Sequence, residues 1–385
     1  MAEISRRESL AIGAGLALGA FAGLGRASAA PLAPGPSLTL IAQTKRMRFG
    51  SSIRWAPAGA DQASFTNPVY AALVLAECGL IVPENELKAQ VIRPDPTSYD
   101  FTRFDPMLAW ARSKGLAVRG HTLLWHQPQY MPSWMETYNY GTSPATAAAK
   151  ILAGHINTVC ARYIASIKEW DVVNEAVNPA DGSLYSTALS RAMGGANATL
   201  DLAFRTAHTA APQAKLVYND YMSWEPRQEK HRTGVLALLR GFRTRGVPVH
   251  ALGIQSHIVA QSTNVMRDVA AQTAAWRTFL DEVVAMGYGL VVTELDVRDN
   301  NLPADIYVRD RAVADYAKAY LDLMLSYPAL ADIVVWGMCD RYTWLKTALP
   351  RADGLASRPC PYNSDYYAKA MRSGIAQAIT AAAPR

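Results

Sequence analysis

Short apolar runs alternate with longer segments of helical periodicity along most of the chain. The apolar runs, which resemble strands and stop at polar or turn-forming residues, cover residues 48–53, 80–83, 117–125, 168–174, 215–221, 251–258, 290–296 and 333–340. Between them lie segments whose apolar residues recur every three or four positions, such as 104–113, 147–167, 200–210, 228–245, 269–286 and 309–327. Gly115, Gly246 and Gly287 follow three of these segments, and glycine is a typical helix-stop residue.

This alternation predicts an α/β fold, a (β/α)8 TIM barrel. A strand, a helix and a further strand repeat at intervals of roughly 30 to 50 residues, which is typical of parallel βα units. Eight such units close into a barrel. No linker rich in Ser, Gly or Pro divides the chain after Lys45. We therefore predict a single catalytic domain at residues 46–380.

The first 29 residues have the features of an export signal. Arg6 and Arg7 precede an apolar run at 10–25, and Ala27-Ser28-Ala29 offers a small-residue cleavage site. The run is rich in Gly and shorter than the roughly 20 apolar residues that a membrane-spanning helix needs. We predict a twin-arginine signal at 1–29, a leader at 30–45, and a periplasmic or secreted protein without a membrane anchor after signal removal.

The charge of the chain argues against one class of partner. The formal net charge is +6, and residues 1–29 carry three Arg and two Glu, so their removal lowers the charge by one. Lys and Arg are scattered, with no basic run or interleaved aromatic pattern, so we expect no nucleic-acid binding.

For the oligomeric state, we expect a monomer.

The four cysteines do not form a metal-binding pattern. They lie far apart with no Cys-x-x-Cys pair, and four cysteines permit three disulfide connectivities. Disulfides are allowed in an exported protein. Cys78 and Cys160 lie in apolar helical patterns, where buried free thiols are equally expected. Cys339 and Cys360 are the possible disulfide, because two prolines stiffen the loop around Cys360.

Two of the predicted strands end on a glutamate. The run Trp170-Asp171-Val172-Val173-Asn174-Glu175 is followed by turn residues, and the run at 289–296 carries Glu294 and Asp296. Chemistry in a (β/α)8 barrel belongs at the carboxyl ends of the strands. A pair of carboxylates there is what glycoside hydrolysis requires.

Strand alternation predicts which of these side chains share a face. Residues two apart point the same way, so Glu294 faces with Asp296, Gln255 faces with His257, and His257 could bridge the two acids. Asn174 and Glu175 are adjacent and should point in opposite directions. Both can serve one site only if the strand twists or bulges at its end.

The motifs at the strand ends resemble those of glycoside hydrolase family 10, the endo-β-1,4-xylanases. They are Trp-Asp-Val-Val-Asn-Glu at 170–175, Thr-Glu-Leu-Asp at 293–296, His-Thr-Leu-Leu-Trp-His at 121–126, Glu-Asn-Glu-Leu-Lys at 84–88 and Trp-Gly at 336–337. The similarity runs from about residue 46 to residue 379. It implies a retaining enzyme that hydrolyses internal β-1,4 bonds of xylan or xylo-oligosaccharides and needs neither a metal nor an organic cofactor.

The resemblance also implies a role for each matching residue. Glu175 would be the general acid/base and Glu294 the nucleophile, Asn174 would bind the sugar 2-hydroxyl, and His257 with Asp296 would hold and tune Glu294. The expected substrate-binding residues are Glu84, Asn85, Lys88, His121, Trp125, His126, Tyr221, Gln255, Trp336 and Trp344. The segment 126–134 is about two residues longer than the usual His-x-Gln-x-Pro-x-Trp of the family, so Gln127 and Gln129 are both candidates for a sugar contact.

Two other functions are compatible with these residues. One is another retaining β-1,4-glycanase, acting on mixed-linkage glucan or cellulose. The other is a carbohydrate-binding barrel that has lost turnover. Rates on xylan and carboxymethyl-cellulose separate the first from a xylanase, and release of reducing sugar from xylan excludes the second.

Overall fold

The computed structural model describes residue 33 and residues 35–385. The predicted signal at 1–29 lies outside the described residues.

The described residues form nine strands, and eight of them close into a parallel barrel, which confirms the predicted (β/α)8 fold. The strands of the structure are Arg48–Ile53 (β1), Leu80–Pro83 (β2), Ala117–Trp125 (β3), Ile167–Asn174 (β4), Lys215–Asp220 (β5), Ala251–Ile254 (β6), His257–Val259 (β7), Gly289–Arg298 (β8) and Leu330–Val335 (β9). The barrel closes because β6 pairs with β8, and β9 pairs with β1. The short strand β7 pairs with the end of β8, where His257 is in register with Asp296.

Helices lie between the strands on the outside of the barrel. They are Leu38–Thr44 (α1), Pro68–Glu77 (α2), Ala89–Ile92 (α3), Phe104–Ser113 (α4), Ser133–Thr137 (α5), Pro144–Tyr163 (α6), Ala188–Met193 (α7), Ala196–Ala210 (α8), Glu229–Thr244 (α9), Val265–Ala285 (α10), Ile306–Leu325 (α11), Leu345–Ala348 (α12) and Ala370–Ala381 (α13). Single 3₁₀ turns occur at Pro128–Tyr130 and Asp340–Tyr342. In the part of the chain that the structure describes, no helix has the length and apolar character needed to cross a membrane.

The six predicted helical segments are helices in the structure, and their glycine stops are confirmed. Gly115, Gly246 and Gly287 have φ values of 70°, 59° and 79°, the left-handed conformation that glycine adopts without strain. The predicted helix at 147–167 was too long. It ends at Tyr163, and Ile167 already begins β4.

Three predicted strands end earlier than expected. The run at 251–258 is split into β6 and β7, because Ser256 has a φ of 64° and turns the chain between them. The run at 215–221 ends at Asp220, before Tyr221. The run at 333–340 ends at Val335, shortly before Gly337 with its φ of 109°. Apolar composition continues past these points, but the backbone pairing does not.

The segment predicted as a leader, residues 30–45, contains helix α1. Leu38 and Ala42 of this helix are buried, and the backbone N–H of Leu38 donates to Glu77 Oε2 at 2.7 Å. This helix therefore packs on the barrel.

The predicted disulfide between Cys339 and Cys360 is not formed, and all four cysteines are buried free thiols. The loop that returns to the barrel is held by Asp340 instead. The backbone N–H of Cys360 donates to Asp340 Oδ1 at 2.9 Å, and the Lys369 ammonium lies 2.9 Å from Asp340 Oδ2. A buried ion pair with a backbone hydrogen bond thus joins the segments that the disulfide was expected to join.

Candidate active site

A cleft of about 760 Å³ opens at the carboxyl ends of the strands. Residues from every barrel strand except β1, or from the segments that follow them, line this cleft. It brings together most of the predicted site residues: Glu84, Asn85, Lys88, His121, Trp125, Asn174, Glu175, Tyr221, Gln255, His257, Glu294, Trp336 and Trp344.

Glu175 reaches the cleft because the backbone leaves the extended conformation immediately after β4. Its φ of 54° is left-handed, which is uncommon for a residue other than glycine. The backbone N–H of Glu175 donates to the carbonyl of Asn219 at 2.8 Å and holds this conformation. Asn174 and Glu175 can therefore both face the cleft although they are adjacent, as the distortion predicted at the strand end requires.

Three side-chain N–H groups converge on the Glu175 carboxylate. Trp125 Nε1 and Gln127 Nε2 each donate to Oε2 at 2.8 Å, and Gln255 Nε2 donates to Oε1 at 2.7 Å. Burial raises the pKa of Glu175 to about 6, although the hydrogen bond from Gln255 works in the opposite direction. The carboxyl can therefore carry a proton closer to neutral pH than an exposed glutamate can.

Glu294 lies on β8 in a different electrostatic environment. Asn219 Nδ2 donates to its Oε1 at 2.8 Å, and His257 Nε2 donates to its Oε2 at 3.3 Å. Burial alone would raise the pKa of Glu294, but the hydrogen bond from His257 and the nearby His121 outweigh it, so the pKa is lowered. Glu294 is therefore ionised where Glu175 can be protonated.

His257 bridges Glu294 and Asp296, as strand alternation predicted. Its Nδ1 lies 3.0 Å from Asp296 Oδ2, on the side away from Glu294. Burial would lower the pKa of His257, but the nearby Asp296 carboxylate, together with Glu294, raises it to about 10. Asp296 does not line the cleft and acts through His257. Its Oδ2 also accepts a hydrogen bond from Trp344 Nε1 at 2.8 Å.

Asn219 links the two halves of the site and was missed as a site residue. Its Nδ2 donates to Asn174 Oδ1 and to Glu294 Oε1, both at 2.8 Å. Its Oδ1 accepts from the Thr293 hydroxyl at 2.7 Å. A Cβ at Gly253 would come within 2.4 Å of Asn219 Oδ1, so a glycine is needed there. The position of Asn219 in a polar run at the end of β5 could have identified it.

The side-chain Nδ2 of Asn174 is a hydrogen-bond donor that remains available to a ligand in the cleft. Its Oδ1 accepts from Asn219 and, at 3.4 Å, from Gln255. Its Nδ2 makes no hydrogen bond to another of the described residues.

Polar groups after β2 line one end of the cleft. Arg54 contacts Glu84 through two nitrogens, at 2.7 Å and 3.0 Å. Lys88 Nζ donates to Asn85 Oδ1 at 3.1 Å and lies 4.5 Å from the centre of the Trp125 ring. These contacts fix the directions of the Glu84, Asn85 and Lys88 side chains, all of which face the cleft.

His121 is oriented from inside the barrel. Its Nδ1 lies 2.9 Å from Asp171 Oδ2, and Asp171 is also paired with the buried Arg119. The His121 ring meets the edge of Trp336 at a centroid distance of 5.6 Å. Asp171 belongs to the Trp-Asp-Val-Val-Asn-Glu run but was not predicted to support the site.

His126 does not line the cleft, so its prediction as a substrate-binding residue is wrong. It is fully buried, and its Nε2 donates to the carbonyl of Tyr185 at 3.1 Å. Burial lowers its pKa to about 4. The reason is strand alternation, because His121 and Trp125 share the inward face of β3 and the next residue points away.

The extra length of the segment after β3 covers one wall of the cleft. Gln127 and Gln129 both line it, and Gln129 Nε2 donates to Gln127 Oε1 at 3.0 Å. The Tyr130 ring stacks on Trp125, with their centroids 3.7 Å apart.

Other lining residues were missed, and most of them lie in loops. The loops after β5 and after β7 supply Ser223, Glu225, Pro226, Gln228 and Gln261, and β8 ends in Arg298. Loop residues have no periodicity from which their direction could be predicted.

The described residues contain no cluster of His, Cys, Asp and Glu that could hold a metal ion.

Comparison with known proteins identifies the family. The family model described as glycosyl hydrolase family 10 matches residues 39–378. An endo-1,4-beta-xylanase A of Fusarium oxysporum f. sp. lycopersici is 32% identical over 274 residues, which cover 71% of this chain and 80% of that protein.

Solved structures share the fold. The native xylanase 10B of Thermotoga maritima has a TM-score of 0.77 and 26% identity, and the match covers 89% of this chain and 98% of that one. The xylanase 10B of Thermotoga petrophila RKU-1, in complex with xylobiose, has a TM-score of 0.77 and 24% identity over 91% of this chain and 98% of that one. Because the family model spans nearly the whole described chain, the chain belongs to glycosyl hydrolase family 10.

Proposed function

We propose that this chain is an endo-1,4-β-xylanase that cleaves internal bonds of xylan with retention of configuration. The observation that carries the proposal is the contrast between two carboxyls in one cleft. Burial raises the pKa of Glu175 to about 6, whereas His257 helps to lower the pKa of Glu294. Two carboxyls with separated pKa values can serve as acid and nucleophile at the same pH.

In the first step, Glu294 attacks the anomeric carbon as a carboxylate. The glycosidic C–O bond breaks, and Glu175 gives its proton to the departing oxygen, so the leaving chain departs as an alcohol. The product is a glycosyl ester on Glu294. Asn219 and His257 hold the attacking carboxylate in place through the contacts to its two oxygens.

In the second step, Glu175 takes a proton from a water molecule that attacks the same carbon. The bond to Glu294 breaks, and two displacements leave the anomeric configuration unchanged. The change of role follows from charge. The Glu294 carboxylate contributes to the raised pKa of Glu175, and ester formation removes that charge, which makes Glu175 a better base in its ionised form.

The cleft supports binding of a sugar chain. Asn174 Nδ2 has no acceptor among the described residues and can donate to a sugar 2-hydroxyl. Trp336 and Trp344 provide aromatic surface for the C–H faces of pyranose rings, and Glu84, Asn85 and Lys88 provide polar contacts for hydroxyls. The names of the Fusarium and Thermotoga relatives support xylan as the polymer.

The test is hydrolysis of linear xylan, with the anomer first formed observed by NMR. We expect the β-anomer at early times and a much lower rate on carboxymethyl-cellulose. An α-anomer at early times would contradict the retaining mechanism, and equal rates on the two polymers would favour a broader β-1,4-glycanase.

We also propose that the chain is exported by the twin-arginine route. The support is the sequence alone, namely Arg6-Arg7 before an apolar run and Ala27-Ser28-Ala29 after it. Replacing both arginines with lysine should keep the protein inside the cell, as measured by immunoblots of cell fractions. Export of this variant at the normal rate would indicate the general secretory route.

A further inference from the structure

The last residue of β8 brings a cation into the cleft. Glu294, Asp296 and Arg298 are two residues apart and share one face of the strand. At about 3.3 Å per residue, the Cα of Arg298 lies about 13 Å from that of Glu294. Arg298 lines the cleft and is partly exposed there. It therefore faces the substrate at a distance from the reacting carbon.

Arg298 lies at the end of the cleft opposite Glu84 and Lys88. In the ring of eight strands, β8 is three strands away from β2 and therefore stands nearly across the barrel from it. Glu84 and Lys88 follow β2, whereas Arg298 shares its end of the cleft with Gln261, which follows β7, and with Glu225, which follows β5. The resemblance to family 10 implies that Glu84 and Lys88 contact the glycone. If the proposed function is correct, residues at the opposite end contact the aglycone, the part of the substrate that leaves first.

The Arg298 guanidinium has no partner among the described residues. It forms neither an ion pair nor a side-chain hydrogen bond there, and its Nε is enclosed without an acceptor. The adjacent Asp299 is not available, because it is buried and paired with Arg309. Enclosing a guanidinium nitrogen without an acceptor costs free energy. Because Nε is enclosed, a ligand in the cleft would reach the two Nη groups, which also have no partner among the described residues and are not enclosed.

The nearby carboxylate of Glu225 is occupied by other donors. Its Oε1 accepts from the backbone N–H of Val259 at 2.7 Å and from Trp224 Nε1 at 3.1 Å, and its Oε2 accepts from the Ser223 hydroxyl. Burial raises the pKa of Glu225, and the hydrogen bonds from Ser223 and Val259, with a smaller effect of the Arg298 charge, only partly offset it. Glu225 is therefore a near neighbour of Arg298 without being its hydrogen-bond acceptor.

We propose that Arg298 binds the carboxylate of a uronic acid branch on the aglycone side, so that acidic, glucuronate-substituted xylan is a favoured substrate of this chain. The guanidinium presents parallel N–H donors that match the two oxygens of a carboxylate. An unsubstituted xylose offers hydroxyls and no charge. This inference rests on the proposed xylanase function and adds the substrate class.

The experiment compares two matched substrates. Oligosaccharides from glucuronoxylan are used as such and after reduction of the carboxyl group to a primary alcohol, which removes the charge and keeps the branch. We expect wild-type kcat/KM to be roughly tenfold higher on the acidic substrate, as for a charge-assisted contact, and the ratio to fall as salt is added.

Variants assign the effect to Arg298. Arg298→Gln should bring the ratio of kcat/KM values close to one. Arg298→Lys should give an intermediate ratio, because lysine keeps the positive charge but lacks the two parallel N–H donors of the guanidinium. Arg311→Gln is the matched control, since Arg311 is exposed on α11 and is not among the cleft residues. It should keep the wild-type ratio.

Several outcomes would overturn the inference. One is a wild-type ratio of one, and another is a ratio that Arg298→Gln leaves unchanged, which would mean that Arg298 contacts a sugar hydroxyl common to both substrates. Mass spectrometry of wild-type products should place the uronic acid near the new non-reducing end, and its exclusion from that position would also contradict the inference. The wild-type measurements decide even if a variant fails to fold. Failure of the proposed function would show separately, as no cleavage of linear xylohexaose.

Discussion

The indole N–H of Trp344 donates to Asp296 Oδ2 at 2.8 Å and thereby joins the loop after β9 to strand β8. Asp296 in turn lies 3.0 Å from His257, which contacts Glu294. A residue that forms part of the cleft wall therefore also holds the group behind the proposed nucleophile. The ring of Trp344 and its N–H have separable roles.

Replacing Trp344 with phenylalanine should separate them. The ring surface is largely kept, but Asp296 loses a hydrogen bond and His257 is held less firmly against Glu294. We expect kcat on linear xylan to fall about three- to tenfold, which is less than the full loss of one buried hydrogen bond to a charged group because Asp296 acts on Glu294 only through His257; the change in KM should be smaller. Trp336→Phe is the matched control, because the indole N–H of Trp336 has no acceptor among the described residues. This variant loses only ring surface in the cleft, so it should change mainly KM. Equal kcat in the wild type and in Trp344→Phe would remove this link from the mechanism.

Replacing Glu294 with alanine tests its role as the nucleophile. Turnover of xylan should fall to background, because no carboxylate remains to form the ester. Azide can enter the space left by the side chain and attack an activated aryl xylobioside once, which gives a product of inverted configuration. The measurement is aryl release with and without azide, with NMR of the product. Xylan hydrolysis at the wild-type rate would assign the nucleophile to another residue.

Replacing Glu175 with alanine tests its role as the acid. Loss of the proton donor should reduce the rate most for substrates with poor leaving groups, because aryl groups of low pKa depart without protonation. We therefore expect a loss of several orders of magnitude on xylo-oligosaccharides and a much smaller loss of the glycosylation rate on an activated aryl xylobioside. Similar losses on both substrates would show that Glu175 does not protonate the leaving group.

The sequence predicted those features of the site that strand periodicity determines. Glu294 and Asp296 share a face of β8, and Gln255 and His257 face the same cleft although Ser256 breaks the strand between them. His126 was predicted wrongly, because its motif was carried over without applying the same alternation to β3.

Other features depend on distances that the sequence does not encode. The pairing of Asp340 with Lys369, in place of a disulfide, depends on how two distant segments meet. The cleft positions of Tyr130 and Glu225 depend on loop conformations, where no period exists to show the direction of a side chain. Arg298 is an intermediate case, because it continues the period of Glu294 and Asp296 by one step beyond the matched motif.

The pH dependence of activity should depend on Gln255. Glu175 must carry a proton to act as the acid, so kcat/KM should fall as the pH rises through its pKa, near 6 in the free enzyme. Gln255 Nε2 donates to Glu175 Oε1 at 2.7 Å and favours the ionised carboxyl, against the larger effect of burial. Removing this donor in Gln255→Leu should raise the pKa of Glu175. The alkaline limb of the profile should then move to higher pH, by up to about one unit, the equivalent of one hydrogen bond to a charged group.

Gln129→Leu provides the matched control for this shift. Gln129 also lines the cleft, but it donates to Gln127 at 3.0 Å and makes no hydrogen bond to Glu175. The alkaline limb should therefore stay close to its wild-type position in this variant, whatever happens to KM. The measurement is kcat/KM on a xylo-oligosaccharide between about pH 4 and pH 9, a range that spans the usual carboxyl and imidazole pKa values. A limb that moves to lower pH in Gln255→Leu would mean that Gln255 stabilises the protonated carboxyl, with its amide oxygen rather than its N–H facing Glu175.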